Sequence, residues 1–354
     1  MRIFVTDCEG PISKNDNAME LAASFVPQGE RFFSLLSKYD DFLADVERRP
    51  GYKAGDTLRL ILPFLKAFGA TDKGIEEFSR ANILLMPGAA ETLRFVRERM
   101  PAFIISTSYE PYIRALCEVI DFPFEAAYCT KLALDRYPLP QREEKYLREV
   151  AGEIAKMPMI EWGEKASGMA ALSEAGRKVV RRLNRIFWEE LTGMQIGRVL
   201  EEVDPVGGEA KAAAVRDILK RTGAQVDEVM YVGDSITDFQ ALEMVKQGGG
   251  LACSFNGNAY AIKGAQVACL ARDTRIISIC AQLFASAGRG GVLALLPRWG
   301  SEALQSAGIA EEQLRHVPPD AELGEITPDN QARWTERSQE FRKQVRGIGI
   351  GSLG

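Results

Sequence analysis

Apolar residues occur along this chain in two kinds of run. Short continuous runs, Ile3-Phe4-Val5, "AFIIS" at 102–106, and the apolar starts of "VMYVGDSITD" at 229–238, "GGGLACSFNGNA" and "AQVACLA", read as buried β-strands. Between them, "NAMELAASFV", "GERFFSLLSKYDDFLADVERR", "DTLRLILPFLKAF" and "AAETLRFVRERM" repeat apolar residues every three or four positions, the spacing of amphipathic helices. Strands alternating with helices predict an α/β fold built on a doubly wound, parallel, Rossmann-like sheet.

Two helical stretches are too long for a minimal α/β unit. Residues 16–85 predict an α-helical cap over the sheet, and the highly charged residues 140–199 an additional helical insertion. The core is then assigned to 1–15, 86–139 and 200–300. From about 301 to 354 the chain turns polar and reads as a C-terminal extension.

Composition narrows the chemistry. With 354 residues, 46% hydrophobic and 26% charged, the chain can bury a large core and form more than one domain. A net charge of −5 gives no global field that would draw it to nucleic acid. No apolar stretch reaches the roughly 20 residues a membrane helix needs, and no secretory signal is apparent, so the expectation is a cytoplasmic protein that does not span a membrane. The six cysteines form no C-x-x-C pair, which argues against a zinc site and fits a reducing compartment. The single histidine, His316, lies in the polar C-terminal region. Mechanisms needing a histidine base or a pair of histidine ligands are therefore excluded. Carboxylates, lysine and hydroxyls remain, with an oxygen-liking cation such as Mg²⁺.

In an open parallel sheet, sites form beyond the carboxyl ends of the strands. The first run ends in Asp7 and Glu9, the second in Ser106 and Thr107, the third in Asp234 and Asp238. Lys211, in "GGEAKAAAV", opens a helix. Singly these are weak signals: a D-x-E after a strand also reads as a turn, and a G-x-x-K as a helix cap. Together, and in this order, they suit phosphoryl transfer. One carboxylate attacks phosphorus, a cation offsets the phosphate charge, and a second acid protonates the leaving oxygen and then activates water. Lysine and a hydroxyl hold the non-bridging oxygens. Asp7 is then the nucleophile and Glu9 the acid/base, with Gly10-Pro11 turning the chain towards the cap.

The set Asp7-Cys8-Glu9-Gly10, "FIIST" with Ser106, Lys211 and "GDSITD" resembles the four motifs of the haloacid dehalogenase superfamily of phosphohydrolases. The resemblance implies a Mg²⁺-dependent phosphatase acting on a small phosphorylated metabolite through an aspartyl-phosphate. It implies Mg²⁺ ligation by Asp7, Asp234 and the backbone carbonyl of Glu9, with Asp238 acting directly or through water. Phosphate would be held by Ser106 and Lys211, with Thr107 beside them. "SFNGNA" looks like the corresponding stretch of phosphoserine-phosphatase-like members, which implies a substrate contact for Asn256. Two features depart from the pattern: Glu9 stands where most members have a second Asp, and compact members lack the 140–199 insertion. D-x-E-G is nonetheless similar to the pattern in enolase-phosphatases and in a phosphoserine:homoserine phosphotransferase. "DCEGPISKNDNAMELA" and "GYKAGDTLRLILPFLKA" are also similar to a narrower group, energy-converting hydrogenase A subunit R. That resemblance implies hydrogenase subunits as partners and supplies the alternative, a non-catalytic or regulatory subunit. A receiver-like phospho-acceptor fits poorly, because its acceptor aspartate lies on a later strand.

Softer signals remain. In "GRKVVRRLNR", Arg177, Lys178, Arg181, Arg182 and Arg185 read as a solvated amphipathic face or as a surface for an anionic partner. Lys14, Asn15 and Asn17 are candidates to meet substrate, although Asn15 or Asp16 also suits a helix cap. Tyr52, Lys53 and Asp56 are candidate specificity residues, and "GRGG" at 288–291 reads as a turn. The dinucleotide and P-loop signatures are absent, which argues against a dehydrogenase or P-loop protein.

Overall fold

The computed structural model describes residues 1–163 and 166–347. Seven strands form one sheet: β1 (Ile3–Thr6), β2 (Ala102–Tyr109), β3 (Ala127–Thr130), β4 (Val229–Gly233), β5 (Leu251–Phe255), β6 (Val267–Leu270) and β7 (Glu322–Glu325). Their spatial order is β3-β2-β1-β4-β5-β6-β7. The first six run parallel and β7 pairs antiparallel with β6. The fold is thus α/β with a mostly parallel, doubly wound sheet. Central strands rich in Ile, Val and Phe suit such a sheet, because both faces are covered.

Alternation along each strand sorts the core into two layers. Phe4, Ile104, Met230 and Val232 pack with Ile276, Ile279 and Phe284 on one face. Ile3, Val5, Ile105 and Tyr231 pack with Val215, Ile218, Leu242 and Val245 on the other.

A third apolar cluster lies outside the sheet and joins the two long helical stretches. Phe32, Tyr39 and Phe64 from the first share it with Leu147, Ile154, Leu183 and Phe187 from the second. The ring of Phe64 lies 5.0 Å from that of Phe32 and 6.1 Å from that of Phe187. The Trp188 indole N–H donates to Tyr39 Oη at 2.9 Å, and the Tyr39 hydroxyl donates in turn to Asn184 Oδ1 at 2.5 Å. The two stretches stand apart in the sequence, but they share one hydrophobic core. Neither could bury its apolar face alone.

Two sequence expectations need correction. The apolar helix Arg275–Arg298 is long and apolar enough to cross a membrane by length and composition, contrary to the reading that no such stretch exists. Its first half packs into the core under the sheet. The "GRGG" turn lies inside this helix as a break, with Gly288 at φ 66°. Polarity alone also hid the structure of 301–347. This region supplies β7 and the helix Gln331–Arg346, whose Ser338 hydroxyl donates to the Gly257 carbonyl at 2.6 Å.

Candidate active site

The carboxyl ends of β1 and β4 deliver their acids to one place. Asp7 follows β1 directly, and its backbone N–H donates to the Val232 carbonyl at 2.8 Å, which fixes the strand exit. Gly10, at φ 105°, turns the chain away beside Asp234. A Cβ there would lie 2.4 Å from Asp234 Oδ2, so only glycine allows this approach. Asp7, Asp234 and Asp238 are all buried, and each offers a carboxylate oxygen within 4.8 Å of the other two.

Lys211 joins this group from the first turn of the helix Glu209–Thr222. Its Nζ is fully buried, 2.9 Å from Asp7 Oδ1 and 2.8 Å from Asp238 Oδ1. Burial alone pushes the ammonium down, but Asp238 and Asp7 more than offset this and hold its pKa above the usual lysine value. Asp238 is fully engaged. Its Oδ1 also accepts from the Tyr231 hydroxyl at 2.8 Å, and its Oδ2 accepts from the N–H groups of Asp234 and Ser235 at 3.1 Å each. Burial works against the charge of Asp238, but Lys211 and these donors leave its pKa below the usual value. Asp7 is pushed up instead, by burial and then by Asp238, with Lys211 opposing and Asp234 adding to the rise. Among the described residues its side-chain contacts all fall on Oδ1, which accepts from Lys211 and from the Cys8 N–H at 2.7 Å, leaving Oδ2 to the cavity.

Glu9 lies on the cap side of this group. Its Oε1 accepts the Asn17 N–H at 2.8 Å, at the start of the helix Asn17–Phe25. Burial and then Asp16 push the Glu9 carboxyl up to about 8, against the opposing effects of the Asn17 N–H and Arg346. Asp16 is the N-cap of the same helix, its Oδ1 accepting from the Met19 N–H at 2.9 Å.

Other sequence candidates fall elsewhere. Thr107 lines the cavity, whereas the Ser106 hydroxyl is buried and accepts the Ser108 N–H at 3.1 Å. Asn256 does not join the site. Its side chain bonds both the carbonyl and the N–H of Ala271, at 2.7 and 3.0 Å, and so links the ends of β5 and β6. Asn15 is held by Glu20, Leu84 and Tyr112. In "GYKAGDT", Gly55, Thr57 and the following Leu58 line the cavity, while Asp56 pairs with Arg59, Lys53 with Asp204, and the Tyr52 ring meets Trp188. On the basic helix, Arg182 is bound by Glu153 and Glu190, Arg185 by Glu190 and Lys178 by Glu174, so these charges already have carboxylate partners.

Sequence reasoning missed two arginines. Arg342 and Arg346, one helical turn apart on Gln331–Arg346, both bind Asp234 Oδ2, Arg346 at 3.1 Å. Arg342 also reaches the Asp234 carbonyl at 3.1 Å, and Arg346 the Lys14 carbonyl at 3.1 Å. A basic pair at i and i+4 in a polar tail is an ordinary solvated pattern, so nothing in the sequence marked them. Asp40 and Asp41, from the helix Gly29–Asp41, complete the far wall of a cavity of about 110 Å³.

Comparison with known proteins adds one full-length likeness. The chain is similar throughout to a gene product of Archaeoglobus fulgidus. The solved structure of that protein shares 28% identity with a TM-score of 0.82, over 100% of this chain and 99% of that one. An apo phosphoserine phosphatase shares 13% identity with a TM-score of 0.47, over 78% and 96% of the two chains. A HAD family hydrolase from Salmonella enterica shares 11% with a TM-score of 0.41, over 72% and 62%. Likenesses of that size carry no argument. No family model matches the chain, and no curated protein does.

Proposed function

We propose that this protein is a Mg²⁺-dependent phosphomonoesterase of the haloacid dehalogenase type, acting on a small phosphorylated metabolite. One observation supports this above the others: a lysine bridges two carboxylates, Asp7 and Asp238, at a rim where a third, Asp234, lies within 4.8 Å.

The donor set fits a divalent cation. Asp7 and Asp234 each keep a carboxylate oxygen, Oδ2 and Oδ1, with no hydrogen bond among the described residues, while Asp238 has both oxygens engaged. On this reading Asp7 and Asp234 hold Mg²⁺ together with the Glu9 carbonyl, and Asp238 positions Lys211. When bound, the cation offsets the charge of the phosphate dianion. One carboxylate oxygen of Asp7 attacks phosphorus while the other would face the cation, the ester P–O bond breaks, and the leaving oxygen takes the proton of Glu9. Glu9 suits that role, because a carboxyl pushed up to about 8 carries its proton at neutral pH. The ionised Glu9 then takes a proton from water, which attacks the phosphoryl group and releases Asp7. Lys211 steadies the phosphoryl oxygens, and Thr107, whose hydroxyl donates to the Val206 carbonyl at 3.0 Å, borders them. The helices of 16–85 and 140–199 act together as one cap. Six free, buried cysteines go with a reducing cytoplasm.

The test is turnover of p-nitrophenyl phosphate with Mg²⁺. Asp7→Asn removes it entirely; activity that survives refutes Asp7 as nucleophile.

A second reading, a subunit that keeps the fold without turnover, is favoured by the two guanidinium groups on Asp234. It predicts no turnover across a broad phosphate library and co-purification with hydrogenase subunits.

A further inference from the structure

The cap side of the cavity has an electrostatic character that phosphate chemistry does not use. Asp40 and Asp41 sit side by side at the end of the helix Gly29–Asp41, where it runs into the π-helical turn Phe42–Val46. Both line the cavity and both are 3% exposed. Asp40 Oδ2 is fixed by the Gly55 N–H and the Thr57 hydroxyl, each at 2.9 Å. Its Oδ1 is buried with no hydrogen bond among the described residues, and the neighbouring Tyr52 hydroxyl, likewise unpaired, can offer it only a neutral donor. Among the described residues no lysine or arginine lies within ion-pair distance of Asp40. Asp41 pairs with Lys38, at 3.6 Å. The two cavity arginines are both bound to Asp234 on the opposite wall. A buried carboxylate held in place on one oxygen and unpaired on the other lacks a cationic donor.

We propose that Asp40, assisted by Asp41, receives the ammonium group of the substrate, so that the substrates are short phosphomonoesters of amino alcohols. This rests on the phosphatase reading of the same cavity. Ser37 and Thr57 flank the subsite with hydroxyls, and Phe33 and Leu58 give the connecting carbon arm an apolar wall. A cavity of about 110 Å³ has room for a short arm. A carboxylate-bearing ester is disfavoured, because it would bring a third negative charge against the aspartate pair.

The test compares kcat/KM for 2-aminoethyl phosphate and propyl phosphate, which differ in the terminal amine, using the Mg²⁺-loaded full chain. Wild type should favour the amine by about tenfold to a hundredfold, the scale of one charged hydrogen bond. Asp40→Asn should bring that ratio near one, because the amide can keep the Gly55 and Thr57 bonds but turns a donor towards the amine. Equal rates in wild type, or a preference that persists in Asp40→Asn, would overturn the proposal. Should wild type turn over no phosphomonoester at all, the phosphatase reading falls and calorimetric binding of the same two compounds decides the subsite. Tighter binding of the amine, lost in Asp40→Asn, upholds it, and equal binding overturns it. If Asp40→Asn does not fold, Asp41→Asn is read by the same ratios, with a smaller loss expected because Lys38 already shares that carboxylate.

Discussion

The two walls of the cavity are both acidic, but they treat their charges differently. On the sheet side, Asp234 in the wall faces the arginine pair and Asp238 behind it faces Lys211, each a buried cation. On the cap wall, Asp40 faces none among the described residues, and burial followed by Asp41 pushes its carboxyl up to about 7. A buried acid with its own cation keeps its charge and its place, whereas a buried acid without one holds a proton until a ligand replaces it. The sheet wall is therefore built before substrate arrives, and the cap wall is completed by what it binds.

Removing the sheet-wall cation breaks this contrast most severely. Lys211→Met leaves Asp7 and Asp238 buried side by side without compensation. The expected cost is about 3–5 kcal/mol of stability, read by denaturant unfolding, together with loss of phosphomonoester turnover. A smaller loss would mean that water or a bound cation already serves the two acids.

The cap wall should show itself in the pH dependence of stability. Asp40 moves from an ordinary 3.8 to about 7 on folding, so the folded state binds its proton more tightly. The stabilisation is fully present below about pH 4 and is lost as pH rises through 7, with an interval worth up to about 4 kcal/mol. Asp40→Asn cannot ionise and should flatten that part of the slope. Unfolding of wild type and variant at pH 5 and pH 7.5 checks this: the variant should gain on wild type at the higher pH. A parallel shift of both proteins would show that Asp40 is charged throughout.

These walls also mark how far the sequence could be read. β1, β2 and β4 announce themselves as apolar runs, and Asp7, Asp234 and Asp238 lie within five residues of a strand end, where local pattern and site geometry coincide. Lys211 likewise opens a helix beside them. Asp40 and Asp41 close the helix Gly29–Asp41, in "KYDDFL", where nothing local says that the polar face turns inward over the strand tips. Arg342 and Arg346 reach Asp234 across more than a hundred residues of sequence. Asn256 shows the opposite case. Its motif is local, but the backbone at φ 48° turns its amide to Ala271 rather than to the cavity. Contacts made through packing of distant elements have no sequence period to betray them.

The arginine pair gives a third, smaller test. If guanidinium and Mg²⁺ compete for the charge of Asp234, Arg342→Ala should tighten Mg²⁺ binding by about tenfold in calorimetry, and Arg342→Lys should not. Weaker binding in the alanine variant would instead make Arg342 a positioning residue that holds Asp234 towards the cation.

The smallest effect belongs to the hydroxyl that orients the cap acid. Thr57 donates to Asp40 Oδ2 at 2.9 Å, and a hydrogen bond to the charged form lowers a carboxyl's pKa. Thr57→Val keeps the side chain's volume and removes that donor alone, leaving the Gly55 N–H in place. Asp40 should then titrate higher still, and the pH window in which stability falls should extend upward. At pH 7.5 the expected cost is about 1 kcal/mol, and at pH 5, where Asp40 holds its proton in both proteins, much less. The comparison of the two pH values is what discriminates. A loss of equal size at both would assign Thr57 a packing role and remove the hydroxyl from the electrostatics of this wall.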